Sequence, residues 1–165
     1  MTYSAPDVAA RLQAQFGAKI LEANLQTTDP YCLVEPSAIA EVARFCRDEL
    51  GFNYLACLSG VDYLDKKKTT TDLGVVYHLQ AIPDATKRFC LKVRVPRDNP
   101  QVASVEDVWR TADWHEREAF DMVGVIFEGH HNLVRILCAE DWEGYPLRKD
   151  YQSPDTYHGI KNNVV

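Results

Sequence analysis

The chain has 165 residues, close to the roughly 150 expected of a single domain. Its 46% apolar and 25% charged content is ordinary globular composition and excludes wholesale disorder. The net charge of −6 comes from 18 basic against 24 acidic side chains, and an acidic chain lacks the clustered basic footprint of a nucleic-acid binder.

Five cysteines, Cys32, Cys46, Cys57, Cys90 and Cys138, are widely spaced with no C-x-x-C pair. This pattern fits reduced thiols and argues against an iron–sulfur cluster or structural zinc held by cysteines of this chain. The segment from Met1 to Phe16 has one basic residue and no apolar run of the kind a secretory signal needs. No stretch approaches the roughly 20 apolar residues of a membrane span, so any membrane association is expected to be indirect.

Ser4-Ala5-Pro6-Asp7 predicts a helix start, with Ser4 as cap, Pro6 in the first turn and Asp7 at the capping-box position. Val8, Ala9, Leu12 and Phe16 share one face, so 5–16 is expected to be helix with Gly17 as its stop. Lys19 to Leu33 holds two short apolar runs around Thr27-Thr28-Asp29-Pro30, a hairpin or a bend. Pro36 opens a second helix whose buried face is Ile39, Val42, Ala43, Cys46 and Leu50, ending at Gly51. Tyr54 to Tyr63 and Leu73 to Ala81 read as an antiparallel pair joined by a polar loop over 65–72. Arg88 to Val95 alternates, with Phe89, Leu91, Val93 and Val95 on one face and Arg88, Cys90, Lys92 and Arg94 on a wet, basic one.

Two helices and then consecutive strands without βαβ alternation predict an α+β fold: N-terminal helices packed on a mostly antiparallel sheet. The core domain is expected over residues 1–100. Residues 101–165 are expected to be short helical pieces, within Ser104 to Met122 and stopped at Gly124, followed by an extended, aperiodic C-terminal segment that docks on partner subunits. Residues 113–150 carry four basic against nine acidic groups, and 109–157 holds eight of the 17 aromatics, including Trp109, Trp114 and Trp142. Aromatic sequence without periodicity must wrap its own domain or lie on another protein, and aromatics with arginine are the residues enriched at interfaces.

No phosphate-binding glycine loop and no nucleophile elbow occurs. His115-Glu116-Arg117-Glu118 lacks the second histidine, one turn on, of a zinc-peptidase helix, because position 119 is alanine. The plain reading there is a solvated, salt-bridged helix with Arg117 paired to Asp121 at i, i+4. The sharper reading gives Arg117 a desolvated, two-pronged carboxylate contact within the subunit or across an interface. His130-His131 reads as a turn with one partly exposed histidine, since adjacent residues rarely converge on one small ion. The strip Lys87, Arg88, Lys92, Arg94 and Arg97 is either a solvated strand face or a docking surface for an acidic partner.

The run Glu116-Arg117-Glu118-Ala119-Phe120-Asp121-Met122-Val123-Gly124-Val125-Ile126-Phe127-Glu128-Gly129-His130 is followed by Arg135-Ile136-Leu137 and by Asp141-Trp142-Glu143-Gly144-Tyr145-Pro146-Leu147-Arg148-Lys149-Asp150-Tyr151. These motifs resemble those of the C-subunit family of NADH-quinone oxidoreductase, the small hydrophilic component of respiratory complex I related to the J component of the chloroplast and cyanobacterial complex. Proline usually follows the motif histidine, where this chain has His131.

The resemblance implies a non-catalytic structural subunit of the peripheral arm, bound to the quinone-site large subunit and neighbouring iron–sulfur subunits at the cytoplasmic face of a bacterial inner membrane. It implies no cofactor on this chain, with FMN and iron–sulfur clusters in partner subunits. The motif residues it marks for contact with other subunits are Glu116, Arg117, Glu118, Asp121, Gly124, His130, Arg135, Asp141, Trp142, Pro146, Arg148, Lys149, Asp150 and Tyr151. Two other readings stand beside it: the equivalent component of a membrane-bound hydrogenase or other-donor dehydrogenase, and a free-standing enzyme using Glu116, Glu118, Asp121 and His130.

Overall fold

The computed structural model describes residues 4–65, 67, 71–84 and 86–161, and the expected polar loop at 65–72 falls largely outside them. Helix α1 (Ala5–Phe16) starts at Ser4, whose hydroxyl accepts the Asp7 N–H while the Asp7 carboxylate accepts the Ser4 N–H. This is the reciprocal box read from the sequence. Strands β1 (Ile20–Asn24) and β2 (Tyr31–Val34) pair antiparallel, as the two apolar runs imply. A 3-10 turn at Pro36–Ala38 leads into α2 (Ile39–Asp48), which buries Ile39, Val42, Ala43 and Cys46. Leu50 follows into the core before Gly51 turns the chain at φ +75°.

Strands β3 (Tyr54–Asp62), β4 (Leu73–Gln80) and β5 (Arg88–Val95) complete a five-stranded sheet in the order β1-β2-β5-β4-β3. Every pair is antiparallel except β2 with β5. Phe89, Leu91, Val93 and Val95 pair with Leu79, Tyr77, Val75 and Leu73 and form one inner face, packed with buried residues of α1 and α2 into a single core.

An interruption in β3 decides which way its second half faces. Leu55 pairs with Leu79 and Cys57 with His78, so Ala56 is an extra, bulged residue. Side chains alternate with period two, so one inserted residue moves every later side chain to the other face. After the bulge Leu58, Gly60 and Asp62 point inward instead of Cys57, Ser59 and Val61, and the acidic Asp62 is carried into the interior.

The outer face departs from its reading at Cys90, which is 4% exposed rather than wet. It lies beside Tyr31 and His78 on neighbouring strands, and its N–H is taken by Pro30. The basic strip is spent inside the chain. Lys92 sits 3.6 Å from the Tyr31 ring centroid and Arg94 4.4 Å from that of Tyr63, Lys87 donates to the Leu50 carbonyl, and Arg97 pairs with Asp62. Arg88 alone of the strip is exposed without one of these contacts.

Beyond β5, a short strand β6 (Gln101–Ala103), helix α3 (Ala112–Val123) and strand β7 (Ile126–Glu128) form a small parallel βαβ unit not anticipated from the sequence. Of the two helical pieces expected in 104–122, the first is only a turn around Glu106–Val108. Val102, Val105, Val108, Trp109, Ala112, Ala119, Val123, Val125 and Phe127 join the same core as the sheet. The Trp109 indole N–H donates to the Phe52 carbonyl at 3.0 Å. Gly124 caps α3 in the left-handed region at φ +82°, as expected. From Gly129 onward the chain is a strap of turns ending in a small hairpin, β8 (Thr156–Tyr157) with β9 (Ile160–Lys161).

Helix α3 reaches β3 where Gly60 removes a side chain: a Cβ there would lie 3.1 Å from Val123 Cγ2 and 3.3 Å from Ala119 Cβ. Gly60→Val should therefore wedge α3 off the sheet and destabilise the domain by about 1–3 kcal/mol. Urea unfolding of the full chain measures this.

Candidate functional site

The residues marked by the motifs gather around α3, and two of them are acids with no exposed surface: Glu116 and Asp121 are both 0% exposed. A carboxylate buried without partners is untenable, so each must be satisfied by specific donors. For Asp121 the donors come from the strap. Its Oδ2 accepts the N–H groups of Ile136, Leu137 and Cys138 at 3.1, 2.7 and 2.8 Å, and its Oδ1 accepts Arg135 Nη1 at 2.7 Å. Burial alone would raise this carboxyl, but the Cys138 N–H, the Arg135 guanidinium and the Leu137 and Ile136 N–H groups outweigh it and hold the pKa at about 2. Arg135 also donates to the Asp121 and Gly144 carbonyls, so one side chain ties helix and strap at two points.

Asp62, delivered inward by the bulge, does the same further along. It accepts Leu64 N–H and Lys149 N–H, each at 2.8 Å, and forms a short ion pair with Arg97, which also reaches Asp150 Oδ1 at 3.1 Å. Lys149 returns its ammonium to the Leu64 carbonyl. Between these two fastenings, the C-terminal carbonyls of α3 receive Leu147 N–H on Met122 and Arg148 Nε on Val123. These are acceptors a helix cannot satisfy internally. Tyr145 lies under Arg148 and over Gly124, where a Cβ would come within 2.6 Å of its ring. Pro146 is half-buried in this turn, and Tyr151 lies against Gly144. At the far end Asp141 accepts Tyr157 OH and pairs with His158 Nε2, each at 2.8 Å, while Trp142 packs on Tyr157 at 5.0 Å.

Glu116 is satisfied from the other side. Its Oε1 accepts Val105 N–H at 2.7 Å and its Oε2 accepts Ser104 Oγ at 2.6 Å. Here burial prevails over those hydrogen bonds, the charges of Glu106 and Asp113 add to it, and the pKa is pushed up to about 7. Ser104 Oγ also accepts Glu106 N–H, which leads to a second cluster. His130, with its ring wholly buried, lies 3.5 Å from Glu106 Oε2 and 3.4 Å from Asp113 Oδ1, and His131 Nδ1 is 2.7 Å from Glu106 Oε2. The two rings stack at 5.2 Å in a turn that buries the His130 ring and leaves His131 exposed, the one exposed histidine read from the sequence.

The expected partner of Arg117 is corrected. Asp121 belongs to Arg135, not to Arg117, because it points into the strap rather than along the helix surface. Arg117 instead lies 5.1 Å from the Trp114 ring centroid and donates to the Val134 carbonyl. Glu118 is exposed. Glu116, Glu118, Asp121 and His130 therefore do not form one constellation: two are sealed in separate hydrogen-bond nests, one faces solvent and one faces Glu106 and Asp113. Asp62, Ser104 and Glu106 are the working residues that sequence reasoning missed, and Arg97, singled out only as part of the basic strip, has an internal role. For Asp62 the only prior signal was its place at the end of an apolar strand.

Large apolar side chains remain exposed here: Trp114 on α3 is 62% exposed, and on the strap Val134 is 47%, Leu137 63% and Leu147 61% exposed. The chain is thus an α+β domain with an irregular C-terminal segment laced onto it by buried acids.

The family model for "Respiratory-chain NADH dehydrogenase, 30 Kd subunit" matches residues 32–157, and the chain belongs to that family. The C component of the NADH-quinone oxidoreductase of Chlorobium phaeobacteroides is 46% identical over 153 residues, which are 91% of this chain and 90% of that protein. A solved trypsin-resistant fragment of Nqo5 superposes with a TM-score of 0.64 at 30% identity, covering 76% of this chain and 99% of the fragment. A chain of the archaeal membrane-bound sulfane sulfur reductase shares the fold, with a TM-score of 0.71 at 23% identity over 89% of this chain and 85% of that one. The protein is thus a subunit of the NADH-quinone oxidoreductase complex, the family its motifs resemble.

Asp121→Ala would strand Arg135, whose side chain is only 16% exposed, together with three N–H groups. The expected cost is about 3–5 kcal/mol, read as lost amide-exchange protection at residues 136–138. The two acids give opposite pH behaviour. Asp121 titrates lower in the fold than in the unfolded chain, so its contribution is present above pH ~3.9 and is lost as pH falls through about 2. Glu116 titrates higher in the fold, so its contribution is full below pH ~4.3 and is lost as pH rises through about 7. Glu116→Gln keeps the acceptor for Val105 and cannot ionise. It should flatten the fall in stability between pH 5 and 8, which in the native chain is on the order of 1–3 kcal/mol; an unchanged slope in the variant would remove Glu116 as its source.

Proposed function

We propose that this chain is a non-catalytic positioning subunit of the peripheral arm, holding the quinone-site large subunit and neighbouring iron–sulfur subunits in fixed register. Electrons from NADH pass through FMN and iron–sulfur clusters carried by those partners, and this chain supplies none of the reacting groups. It sits at the cytoplasmic face of the bacterial inner membrane and is held there through its partners; no helix among the described residues is long and apolar enough to cross a membrane. Electron transfer and quinone chemistry depend on distances that other subunits cannot fix alone, and a rigid wedge between them meets that need.

The observation that carries this reading is the exposure of Trp114 on α3 and of Val134, Leu137 and Leu147 on a segment fastened to the chain's own core. Apolar side chains on a loose tail would be ordered only on binding, at an entropic cost. Held in place beforehand by Asp121 and Asp62, they dock with most of that cost already met in folding. Arg117 lies over Trp114 and stiffens it. Glu118, Glu140 and Glu143 on the same two elements are exposed, and such charges steer toward basic surface on a partner.

Leu137→Asp and Trp114→Asp place a charge among these exposed side chains without touching a buried group. Each should leave the thermal midpoint of the isolated chain within a degree or two, while lowering the yield of assembled complex and its NADH:quinone activity severalfold. Arg117→Ala should act in the same direction and Arg117→Lys less so, because a point charge does not reproduce a flat guanidinium on an indole. Native yields for all three aspartate and alanine variants would place the docking surface elsewhere.

A further inference from the structure

The helices pack on the inner face of the sheet, and the outer face carries a cavity of about 420 Å³ at the end where β4 and β5 face the turn before β2. Thr28, Asp29, His78, Thr86, Arg88 and Cys90 are among the residues that line it. We infer that this cavity is a second docking site of the chain, occupied by a segment of a partner subunit that presents one acidic and one basic side chain, the acid against Arg88 and the base against Asp29. The inference rests on the positioning role proposed above. Holding neighbours in fixed register takes contacts on more than one face, and this cavity lies across the sheet from α3.

The first ground is two free charges of opposite sign. Strand β2 pairs with β5 in parallel, Tyr31 beside Cys90, and Asp29 and Arg88 stand two residues ahead of that pair, at one end of the sheet. Both residues are exposed, and among the described residues neither side chain holds an ion pair or a hydrogen bond, with the other or with any third group. Both act on the Cys90 thiol: burial raises it most and Asp29 raises it further, Lys92 and Arg88 pull it down, and the outcome is a pKa of about 11. A thiol held neutral is not the reactive form, so the chemistry of the cavity is recognition rather than reaction. A guest of one sign would meet a like charge in the same cavity, whereas a guest carrying both signs meets a complement at each.

The second ground is an unmet polar atom. His78 stands between Cys57 and Cys90 on the neighbouring strands, and its Nδ1 is buried without a hydrogen-bond partner. Buried polar atoms are seldom left so, and a polar group on an incoming segment would complete it.

The third ground is that the walls are already set. The Cys90 N–H donates to the Pro30 carbonyl at 3.0 Å and the Thr27 hydroxyl to the Asp29 carbonyl at 2.8 Å, which fix the turn that carries Asp29. On the other wall the Thr86 hydroxyl and N–H both donate to Asp84 Oδ1. A preformed site gives up little entropy on docking, and the volume lies within the roughly 300–1,000 Å³ usual for binding pockets.

The assembled complex tests the assignment. Asp29→Lys and Arg88→Glu change exposed side chains that have no partner in the chain, so each should leave the thermal midpoint of the full chain within a degree or two while lowering the yield of assembled complex severalfold. Asp29→Glu and Arg88→Lys keep the charges and should restore most of that yield. A photoreactive benzoylphenylalanine in place of Thr28, irradiated in the purified complex, should join to one partner subunit. The joined peptide, mapped by mass spectrometry, should carry an acidic and a basic residue within about four positions of each other. Native yields for both reversal variants would overturn the inference; if Leu137→Asp and Trp114→Asp still impaired assembly, the positioning role would stand without it. A Thr28 probe that joins no partner, a joined peptide that lacks either charge, or a small molecule retained in the cavity in place of a protein segment would each overturn it too.

Discussion

The carboxylate of Asp121 is the point on which the second half of the molecule turns. Three consecutive backbone N–H groups and one guanidinium converge on two oxygens that no water reaches. An irregular segment has no ladder or helix in which to satisfy its own amides, so it is ordered only where something else collects them. Asp121 collects them for residues 136–138, the Met122 carbonyl of α3 for 147, and Asp62 for 149. The strap has no periodic structure because its periodicity is supplied from underneath, by acids spaced along α3 and β3.

This arrangement makes two unrelated features of the core interdependent. The bulge at Ala56 turns Asp62 inward, and the same shift puts Gly60 under Ala119 and Val123, bringing α3 down onto β3. One inserted residue thus sets both the seat of the helix and the second fastening of the strap. Arg97, two residues past the end of β5, closes the circuit by bridging Asp62 and Asp150. The acidic excess of 113–150 is accordingly not all surface: part of it, Glu116 and Asp121, is consumed as internal acceptors.

The helices and sheet were legible because their information is local. Ser4 and Asp7 cap α1 as their types require, Ile39, Val42, Ala43 and Cys46 bury together, and the alternation of Phe89 to Val95 lies where its period puts it. What escaped was whatever depended on long-range delivery. Arg117 looked like the partner of Asp121 because helix spacing allows it, but the acid faces Arg135, fourteen residues on, which no periodicity relates to it. Asp62 gave no hint of its role, since a bulge cannot be read from Leu55-Ala56-Cys57-Leu58. Cys90 sits on the polar register yet is covered by neighbours on β2 and β4. The neighbours of His130, Glu106 and Asp113, were no more legible, because Gly129 at φ +86° and the Asn132 N–H bend the turn toward α3. The family, by contrast, was legible in full, since long ordered motifs survive without any knowledge of the contacts they make.

The strap is held to the domain almost wholly by polar contacts: of its described aliphatic residues only Leu133 packs against the core, while Val134, Leu137, Leu147 and Ile160 face outward. Heat capacity and denaturant sensitivity both report apolar area newly given to water. Peeling this segment away would release very little of it. Its detachment would be nearly silent in a calorimeter or a urea titration, and loud in amide hydrogen exchange, where residues 136–138, 147 and 149 would lose their protection together. A bond network of this kind lets a docking surface be rigid on the timescale of binding, and yet separable from the domain that carries it without the domain's own melting registering the event.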